Sequence, residues 1–499
     1  MAKSIMIQGT GSGVGKSVLC AALCRIFFQD GLRVAPFKSQ NMSLNSWVTR
    51  EGLEMARSQV VQAEAAGIDP SADMNPLLLK PSSDTGCQVI LNGKVIGDHT
   101  AAEYGRYQRD IWPSVCRSYQ RLAASHDVVV IEGAGSPAEV NLKDRDFVNM
   151  RTAEMAGASV VLAADIDRGG VFASIIGTLE LLEPDERARI KGVVINKFRG
   201  ELSLLIPGLD FLRARTGVPV LGVVPFFRDV YIQEEDGVPL ENTNFEIRNS
   251  KFDIDVVVLH LPHISNFTDF DALAAEPGVR VRYVRAGQEL AGADAVIIPG
   301  SKNTIGDLLH LRETGMEKKV LAFAADGGMV VGICGGYQML GRKIRDPFGV
   351  DGPVTKAEGM GLLPVTTIME REKQTILVSG VSLTAEFWET GSPVRGYEIH
   401  MGRTDLHDGR PAFRVTDNVG AREDGAVSRE FRAWGTYLHG IFDSDAFRQD
   451  FLNRLRRYKG LPAGGTSSYE RLKQEGYDRL AAIVRSSLDM ASLRRIIGL

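Results

Sequence analysis

A cysteine set between glycines is the segment of this chain with the clearest chemical potential. Cys334 lies in Gly-Ile-Cys-Gly-Gly, residues 332–336, directly after an apolar run. This pattern is typical of a nucleophile elbow, a sharp strand-to-helix turn that lifts one side chain off the end of a sheet. Flanking glycines permit the strained backbone and close packing that such a turn needs. We therefore predict a catalytic thiol, with a buried structural cysteine as the alternative.

A histidine far downstream is the predicted partner of this thiol. His439 follows another apolar stretch, in Thr-Tyr-Leu-His-Gly, and could activate Cys334 and protonate departing ammonia during amide hydrolysis through a thioester. The tetrahedral oxyanion would be stabilised by the backbone N–H of Gly335 and by that of Gly300, in a Pro-Gly-Ser turn. The alternative for His439 is an ordinary core or loop histidine.

The N-terminal region carries a second signature, a phosphate-binding loop. Residues 9–17 read Gly-Thr-Gly-Ser-Gly-Val-Gly-Lys-Ser, in which Lys16 would reach the outer phosphates and Ser17 would ligate Mg²⁺. Backbone N–H groups and the helix dipole favour phosphate here. The loop is similar to that of the dethiobiotin synthetase group, and a chance glycine-rich turn is the alternative. The predicted nucleotide contacts are Thr10, Gly11, Gly13, Val14, Gly15, Lys16 and Ser17.

Polar residues at the ends of other apolar runs could complete the nucleotide site. Glu132 could hold Mg²⁺, with a helix-capping role as the alternative. Lys38 could neutralise charge during phosphoryl transfer and is a candidate catalytic residue. Asn196 resembles a base-recognition element and could hydrogen-bond a purine edge, with a plain loop role as the alternative. Pro225 closes the next strand and completes the predicted base-binding set.

Apolar runs predict the elements that must position these groups. Over residues 1–225 they are continuously apolar and alternate with helical stretches, which fits a doubly wound α/β fold with a parallel sheet. An Asn92-Gly93 turn predicts an inserted hairpin at 88–97. The predicted strands are 4–8, 33–37, 128–131, 160–164, 192–196 and 220–224, and the predicted helices are 16–29, 53–66 and 101–124.

A polar stretch at 226–250 is the predicted linker to a second α/β domain. This domain would span 251–499 and carry the thiol, while residues 1–225 would bind ATP. Its predicted strands are 254–259, 279–284, 295–298 and 329–333, and helices at 445–458 and after residue 467 are predicted to close it.

Composition narrows the class of protein. A chain of 499 residues is too long for one ordinary core, and its net charge of −4 gives no reason to expect nucleic acid or an anionic membrane surface. No apolar run approaches the roughly 20 residues that span a bilayer. Five cysteines, an odd number, do not form a disulfide framework. We predict a soluble, cytoplasmic protein that binds neither nucleic acid nor membrane, and the sequence leaves a homo-oligomer open.

Taken together, the motifs resemble a known enzyme family. The elbow at 332–338, the turn at 299–304 and Tyr-Leu-His-Gly at 437–440 resemble class I glutamine amidotransferase domains of the cobyrinate-amidating branch. The run Phe-Lys-Ser-Gln-Asn-Met-Ser-Leu-Asn-Ser at 37–46 and Gly-Tyr-Glu-Ile-His-Met-Gly at 396–402 resemble the cobyric acid synthase family. The resemblance covers nearly the whole chain and implies a dethiobiotin-synthetase-like P-loop domain followed by a class I glutamine amidotransferase-like domain.

The resemblance also implies an activity. Such an enzyme amidates the b, d, e and g carboxylates of a corrinoid, adenosylcobyrinic acid a,c-diamide, in cobalamin biosynthesis. Glutamine supplies the nitrogen, and ATP with Mg²⁺ activates each carboxylate as an acyl phosphate that ammonia then attacks. By the same resemblance, four side chains are expected to face the corrinoid. These are Gln40, Asn41, Ser43 and Asn45.

Two positions depart from the family patterns. Many class I amidotransferases carry His-x-Glu, whereas Ile441 stands two residues after His439. Either the histidine works without an acid or another group such as Glu398 orients it. Gly11 stands where dethiobiotin synthetases have Asp, which leaves one Mg²⁺ ligand unassigned.

Three alternative functions stay open at this point. The first is a cobyrinic acid a,c-diamide synthase, against which the run at 40–46 argues. The second is a nucleotide-switched ATPase with a vestigial amidotransferase domain, against which the intact Cys334 and His439 argue. The third is a ligase that uses free ammonia and has a regulatory C-terminal half.

Overall fold

A computed structural model describes residues 2–81, 86–143, 146–227, 230–233, 252–383, 388–430, 432–465 and 467–499. The chain forms two compact units, and neither is one continuous stretch. The first comprises Met1–Ser43, Glu54–Asp236 and Arg471–Leu499, and the second comprises Leu44–Leu53 and Gly237–Glu470. The predicted linker at 226–250 lies mostly outside the described residues. No helix within the described ranges is long and apolar enough to cross a membrane.

The first unit is built on a six-stranded parallel sheet, which confirms the predicted doubly wound α/β fold. Lys3–Gly9 is the first strand in sequence and lies inside the sheet. The two strands on one side of it precede in sequence the three strands on the other side, so the strand order reverses there. Open α/β sheets bind ligands at such a switch point. The strands lie in the order Val220–Pro225, Ile190–Phe198, Ser159–Asp165, Lys3–Gly9, Val128–Glu132 and Val34–Phe37.

A smaller four-stranded sheet contains the predicted hairpin. Its turn is Asn92-Gly93, with positive φ angles of 47° and 78°, as two-residue hairpin turns require. The sheet comprises Gln40–Met42, Leu77–Pro81, Gly86–Leu91 and Lys94–Thr100. The helices of this unit are Lys16–Gln29, Arg57–Ala65, Ala101–Ser125, Met150–Met155, Val171–Leu181, Pro184–Arg187, Leu202–Thr216 and Met490–Ile497, with a 3₁₀ turn at Ala72–Met74.

The helix predicted at 53–66 begins later than expected, because Glu54–Ala56 is a short strand. Glu54 is buried and its carboxylate pairs with Lys80 Nζ at 2.8 Å. The Ala56 N–H donates to Asn75 Oδ1 at 3.1 Å. A buried charge must be paired, and these tertiary partners hold the chain extended against its local helical preference.

The C-terminal helices differ from the prediction that they close the second unit. From Arg471 onward they belong to the first unit. In the helix Tyr469–Ser487, Tyr477, Leu480 and Val484 join the core cluster that contains the first helix and the first strand. Their spacing of three and four residues puts them on one helix face, and burial of that face explains the placement.

The second unit contains its own mostly parallel sheet, and all four predicted strands are confirmed at their predicted bounds. The order is Val279–Val284, Ile254–Leu259, Ala295–Ile298, Met329–Ile333, Ala433–Thr436 and, antiparallel, Ala426–Val427. A second sheet comprises Lys356–Glu358, Lys343–Arg345, Val365–Ser382, Phe413–Thr416, Ala421–Asp424 and Pro393–Leu406.

The remaining elements of this unit are short strands and helices. Strands Ser46–Val48, Ile264–Ser265 and Gly300–Ser301 are two or three residues long, and the last two pair antiparallel. The helices are Asp271–Ala274, Thr304–Glu313, Met316–Ala325, Gly335–Leu340, Asp445–Tyr458 and the start of Tyr469–Ser487, with 3₁₀ turns at Phe267–Phe270 and Ile441–Asp443.

The close approach of the C-terminal tail to the first sheet can be tested at Gly222. A Cβ at this position would lie 2.0 Å from the carbonyl oxygen of Ser487, so Gly222→Ala must displace the tail. We expect a loss of about 1–3 kcal/mol in the free energy of unfolding, as for an overpacked core. Denaturant unfolding with a tryptophan or circular dichroism signal measures this loss.

A matched control is Gly177→Ala, where a Cβ meets nothing within 4 Å in the helix Val171–Leu181. There we expect a gain of roughly 0.5–1 kcal/mol, since alanine is the better helix former. Equal stability of the two variants would contradict the packing described for the tail.

Candidate active site

Cys334 occupies the strained turn that its glycine setting predicts. It follows the strand Met329–Ile333 and precedes the helix Gly335–Leu340, with φ 51° and ψ −107°. Its N–H donates to the carbonyl oxygen of Thr436 at 2.8 Å. A non-glycine residue is rarely held in such a conformation outside functional sites. The surrounding sheet therefore fixes this thiol in a strained conformation.

The flanking glycines are required by close backbone packing. A Cβ on Gly336 would lie 1.9 Å from the carbonyl oxygen of Ile298, and a Cβ on Gly332 would lie 2.7 Å from the backbone of Gly336. No side chain fits at either position. The elbow is therefore packed directly on the end of the neighbouring strand, Ala295–Ile298.

His439 is brought to Cys334 and is oriented by an aspartate. His439 Nδ1 lies 2.7 Å from Asp269 Oδ2, and the Gly440 N–H donates to Asp269 Oδ1 at 2.9 Å. Both side chains are buried, with exposures of 1% and 3%. With Nδ1 held by the carboxylate, Nε2 remains for the hydrogen bond to Cys334. The order Cys–His–Asp matches the nucleophile–base–orienter arrangement of covalent catalysis.

The charge environment favours the protonated imidazole. Burial lowers the pKa of His439, but the Asp269 carboxylate and the Cys334 side chain outweigh that effect and raise it to about 10. A thiolate beside an imidazolium is the reactive form of a cysteine nucleophile. Asp269 thus both orients His439 and favours its protonated form.

The acid predicted as an alternative, Glu398, does not contact His439. Its carboxylate binds His400 Nε2 at 3.2 Å and Arg422 Nη2 at 2.6 Å. Of the two options left open by the sequence, the structure has the second, in which another group orients the histidine, but that group is Asp269 and not Glu398. No sequence spacing could have found Asp269, because it lies in the short 3₁₀ turn Phe267–Phe270, far from the His439 motif.

The two predicted oxyanion glycines lie beside the catalytic pair. A Cβ on Gly300 would approach His439 Cε1 to 3.0 Å, and a Cβ on Gly335 would approach the Ser301 nitrogen to 2.9 Å. The structure thus brings together the Gly300–Ser301 turn, the elbow and the histidine. Their backbone N–H groups stay the candidates for oxyanion stabilisation.

In the first unit, the predicted phosphate loop connects the first strand to the helix Lys16–Gln29. Lys16 Nζ donates to the carbonyl oxygens of Gly11 and Gly135, at 2.9 and 3.1 Å. Gly13 and Gly15 have positive φ angles of 70° and 94°, which glycine adopts without strain. The Thr10 N–H donates to the Ala163 carbonyl oxygen.

Asn196 supports this loop from a neighbouring strand. Its Nδ2 donates to the carbonyl oxygen of Val14 at 2.9 Å, and a Cβ on Gly15 would lie 2.2 Å from that nitrogen. Its neighbour Lys197 donates to the Gly13 carbonyl oxygen. The side-chain amide therefore braces the loop, while Pro225 ends the next strand, Val220–Pro225.

Glu132, Ser17 and Lys38 meet at the end of the sheet. Glu132 Oε1 accepts from Ser17 Oγ and from Lys38 Nζ, both at 2.8 Å. Its other oxygen accepts from Gln59 at 3.4 Å and from Gln62 at 2.5 Å. Glu132 is 1% exposed, and four donors compensate the cost of burying its charge. The sequence reasoning missed both glutamines, which lie three residues apart on one helix face.

The residues expected to face a corrinoid are divided between the two units. Asn41 Nδ2 donates to Ser58 Oγ and Gln59 Oε1, both at 3.0 Å, within the first unit. The Ser43 N–H donates to the Leu79 carbonyl oxygen, and Gln40 begins the strand Gln40–Met42. Asn45 instead belongs to the second unit. There its side chain accepts from the Phe267 N–H at 3.0 Å.

The comparisons with known proteins agree with both units. Residues 5–240 match the CobQ/CobB/MinD/ParA nucleotide binding domain, and residues 255–447 match the CobB/CobQ-like glutamine amidotransferase domain. The fold and the site thus define an enzyme of the glutamine amidotransferase ligase class with an attached nucleotide-binding domain.

Relatives that match over their full length identify the family within this enzyme class. Cobyric acid synthase of Citrobacter koseri is 53% identical over 503 residues and that of Moorella thermoacetica 51% over 507, each covering all of this chain and 99% or 98% of the relative. That of Dehalococcoides mccartyi is 50% identical, again across the whole chain. The chain belongs to the cobyric acid synthase family.

The Asp269–His439 contact predicts a change in the pH dependence of glutamine hydrolysis. We expect Asp269→Asn to lower kcat/KM by about 10²–10⁴-fold, the contribution usual for acid–base groups. The raised pKa, about 10 against an ordinary 6.5, stabilises the fold fully below pH 6.5, and this stabilisation is lost as the pH rises through 10. Without the carboxylate the pKa of His439 is lower, so the imidazolium loses its proton at a lower pH. The activity of the variant should therefore fall at a lower pH than that of the wild type.

The measurement is the rate of ammonia release from glutamine between pH 6 and pH 10.5. Asp408→Asn, an exposed substitution in the same unit, serves as the control and should match the wild type. An upper pH limb that stays in place in Asp269→Asn would refute the assigned role.

Proposed function

We propose that this enzyme amidates the b, d, e and g carboxylates of adenosylcobyrinic acid a,c-diamide in cobalamin biosynthesis, with glutamine as nitrogen donor and ATP as activator. The observation that carries the proposal is one chain with two sites, a Cys334–His439–Asp269 site in one unit and a phosphate loop in the other. Full-length relatives of about 50% identity named cobyric acid synthase support the corrinoid substrate.

Glutamine hydrolysis follows from the geometry of the second unit. The Cys334 thiolate attacks the side-chain amide carbon, and the oxyanion forms against the N–H groups near Gly300 and Gly335. His439 transfers its proton to the departing nitrogen, which leaves as ammonia. Water, deprotonated by His439, then hydrolyses the thioester to glutamate and restores the thiol. Asp269 keeps the imidazole in one tautomer throughout.

The first unit supplies residues that suit ATP and Mg²⁺. Ser17 Oγ, at the start of the helix Lys16–Gln29, and Glu132 Oε1, at the end of the strand Val128–Glu132, lie 2.8 Å apart. Both are hard oxygen ligands, the type that Mg²⁺ prefers. Among the described residues no group of three His, Cys, Asp or Glu side chains gathers, so phosphate and water oxygens would fill the other positions. The bound ion would neutralise phosphate charge.

Activation of the carboxylate is the reason for joining the two activities. A carboxylate is a poor electrophile, so conversion to an acyl phosphate creates a leaving group that ammonia can displace. Lys16 and Lys38 would stabilise the transferring phosphoryl group, since the Lys16 ammonium lies in the loop and the Lys38 ammonium at Glu132. The products are the amide and inorganic phosphate.

Cys334→Ala separates the two activities. We expect this variant to lose glutamine-dependent amidation entirely and to keep amidation with ammonium salts at high pH, because only the nitrogen source is removed. Mass spectrometry of the diamide, incubated with ATP and Mg²⁺, counts the carboxyls converted to amides. Ser379→Ala, an exposed substitution in the second unit, is a suitable control.

Four stepwise conversions by the wild type would support the proposal, and amidation of unmodified cobyrinic acid instead would overturn it. Equal loss with both nitrogen sources in Cys334→Ala would contradict the assignment of the second unit to ammonia supply.

Lys16→Ala tests the role of the phosphate loop. We expect amidation to cease with glutamine and with ammonia, since acyl activation needs the lysine at the outer phosphates. Glutamine hydrolysis measured in the same preparation reports on the intact second unit. Lys191→Ala, an exposed change in the first unit, is the matched control, and continued amidation by Lys16→Ala would show that the loop is not the catalytic ATP site.

A further inference from the structure

A short segment from the N-terminal third of the chain packs in the second unit. This segment, Leu44–Leu53, separates from the first unit after Ser43 and rejoins it at Glu54. We call it the strap. It contacts the surroundings of the catalytic histidine at two independent places.

The first contact is a reciprocal pair of hydrogen bonds between asparagines and backbone. Asn45 Oδ1 accepts from the Phe267 N–H at 3.0 Å, and Asn266 Oδ1 accepts from the Ser46 N–H at 2.9 Å. Both amides are buried, and Asn266 has a left-handed φ of 52°. Loss of either partner would leave a buried donor unsatisfied.

This pair fixes the element that carries the catalytic acid. Phe267 and Asn266 begin the 3₁₀ turn Phe267–Phe270, and Asp269 lies inside it. A turn of this length has little rigidity of its own. The distance from Asp269 to His439 therefore depends on how firmly the strap holds the start of the turn.

The second contact reaches His439 from its ring face. The Trp47 ring lies 4.5 Å from the ring of Tyr397, which in turn stacks on the His439 imidazole at 5.4 Å and 24°. Tyr397 and His439 also exchange backbone hydrogen bonds at 3.1 and 2.9 Å. Val48 adds to the same cluster. The strap thus supports the imidazole through Tyr397 as well as through its acid.

We propose that Asn45 and Trp47 are positioning residues of the glutamine-hydrolysing site, acting through Asp269 and Tyr397. The proposal rests on the proposed function, because it assigns these residues to the glutaminase reaction. The expectation that Asn45 also faces the corrinoid stays a prediction. Asp269 and Cys334 raise the pKa of His439, and the charged side chains of the strap are Arg50 and Glu51, both exposed.

Trp47→Ala and Trp47→Phe test the ring contact in the full-length enzyme. We expect kcat/KM for ammonia release from glutamine to fall by about 3- to 10-fold in Trp47→Ala, the range for loss of one aromatic pair. The loss should lie in kcat, with KM unchanged, because no substrate contact is removed. Trp47→Phe should keep most of the activity. Phe348→Ala, an exposed aromatic in the same unit, is the matched control.

Asn45→Ala tests the hydrogen-bonded contact with a readout that a merely structural role would not move. Loosening of Asp269 should shift the upper pH limb of glutamine hydrolysis downward, in the direction expected for Asp269→Asn but by less. Amidation with ammonia should stay within about twofold of the wild type in Trp47→Ala, a change of about 0.4 kcal/mol in the barrier.

Unchanged glutaminase kinetics in Trp47→Ala together with an unshifted pH limb in Asn45→Ala would overturn this inference and leave the proposed function intact. A wild-type enzyme that releases no ammonia from glutamine would overturn both. Equal losses of glutaminase and ammonia-dependent activity in Trp47→Ala would show general damage and would also overturn it.

Discussion

The backbone at Cys334 is the constraint on which the second unit depends. A non-glycine residue at φ 51° is held there only if the surroundings leave no other conformation. The glycines at 332 and 336 permit backbone contact on the Ala295–Ile298 side, and Thr436 accepts the Cys334 N–H on the other. Strands on both sides of Met329–Ile333 therefore have to be in register before the thiol is placed. The catalytic geometry is a consequence of the sheet.

A different constraint organises the first unit, where a buried carboxylate takes the central role. Glu132 has four donors around its two oxygens, from three separate parts of the chain. Removing a partner of a buried charge is far more costly than removing a surface ion pair. The arrangement thus keeps Lys38 and Ser17 in place next to the phosphate loop, and it makes the loop, the second strand and the helix Arg57–Ala65 mutually dependent.

Local sequence signals were sufficient where a single element carries its own pattern. Four strands of the second unit and the helix Lys16–Gln29 have their predicted bounds, because continuous burial or helical periodicity sets them. The same signals missed Asp269, because a carboxylate in a four-residue turn has no periodicity and its partner is distant in sequence. The same signals wrongly predicted that Glu54–Ala56 is helical. The contacts with Lys80 and Asn75 that hold this segment in an extended conformation come from distant parts of the sequence. The assignment of the strap to the second unit could not be predicted for the same reason, because its contacts are with residues distant in sequence.

The first unit is built from segments that precede and follow most of the second unit in sequence, and this affects the order in which the chain folds during synthesis. Its core cluster includes Ile5 near one terminus and Leu493 and Ile497 near the other. A ribosome releases the chain in order, so the helix that carries Tyr477 and Leu480 becomes available only after the residues of the second unit. Until then the face of the sheet and first helix that Tyr477 and Leu480 cover stays exposed to water, while the second unit already has all of its residues. The earlier-translated half is therefore the later one to complete its core.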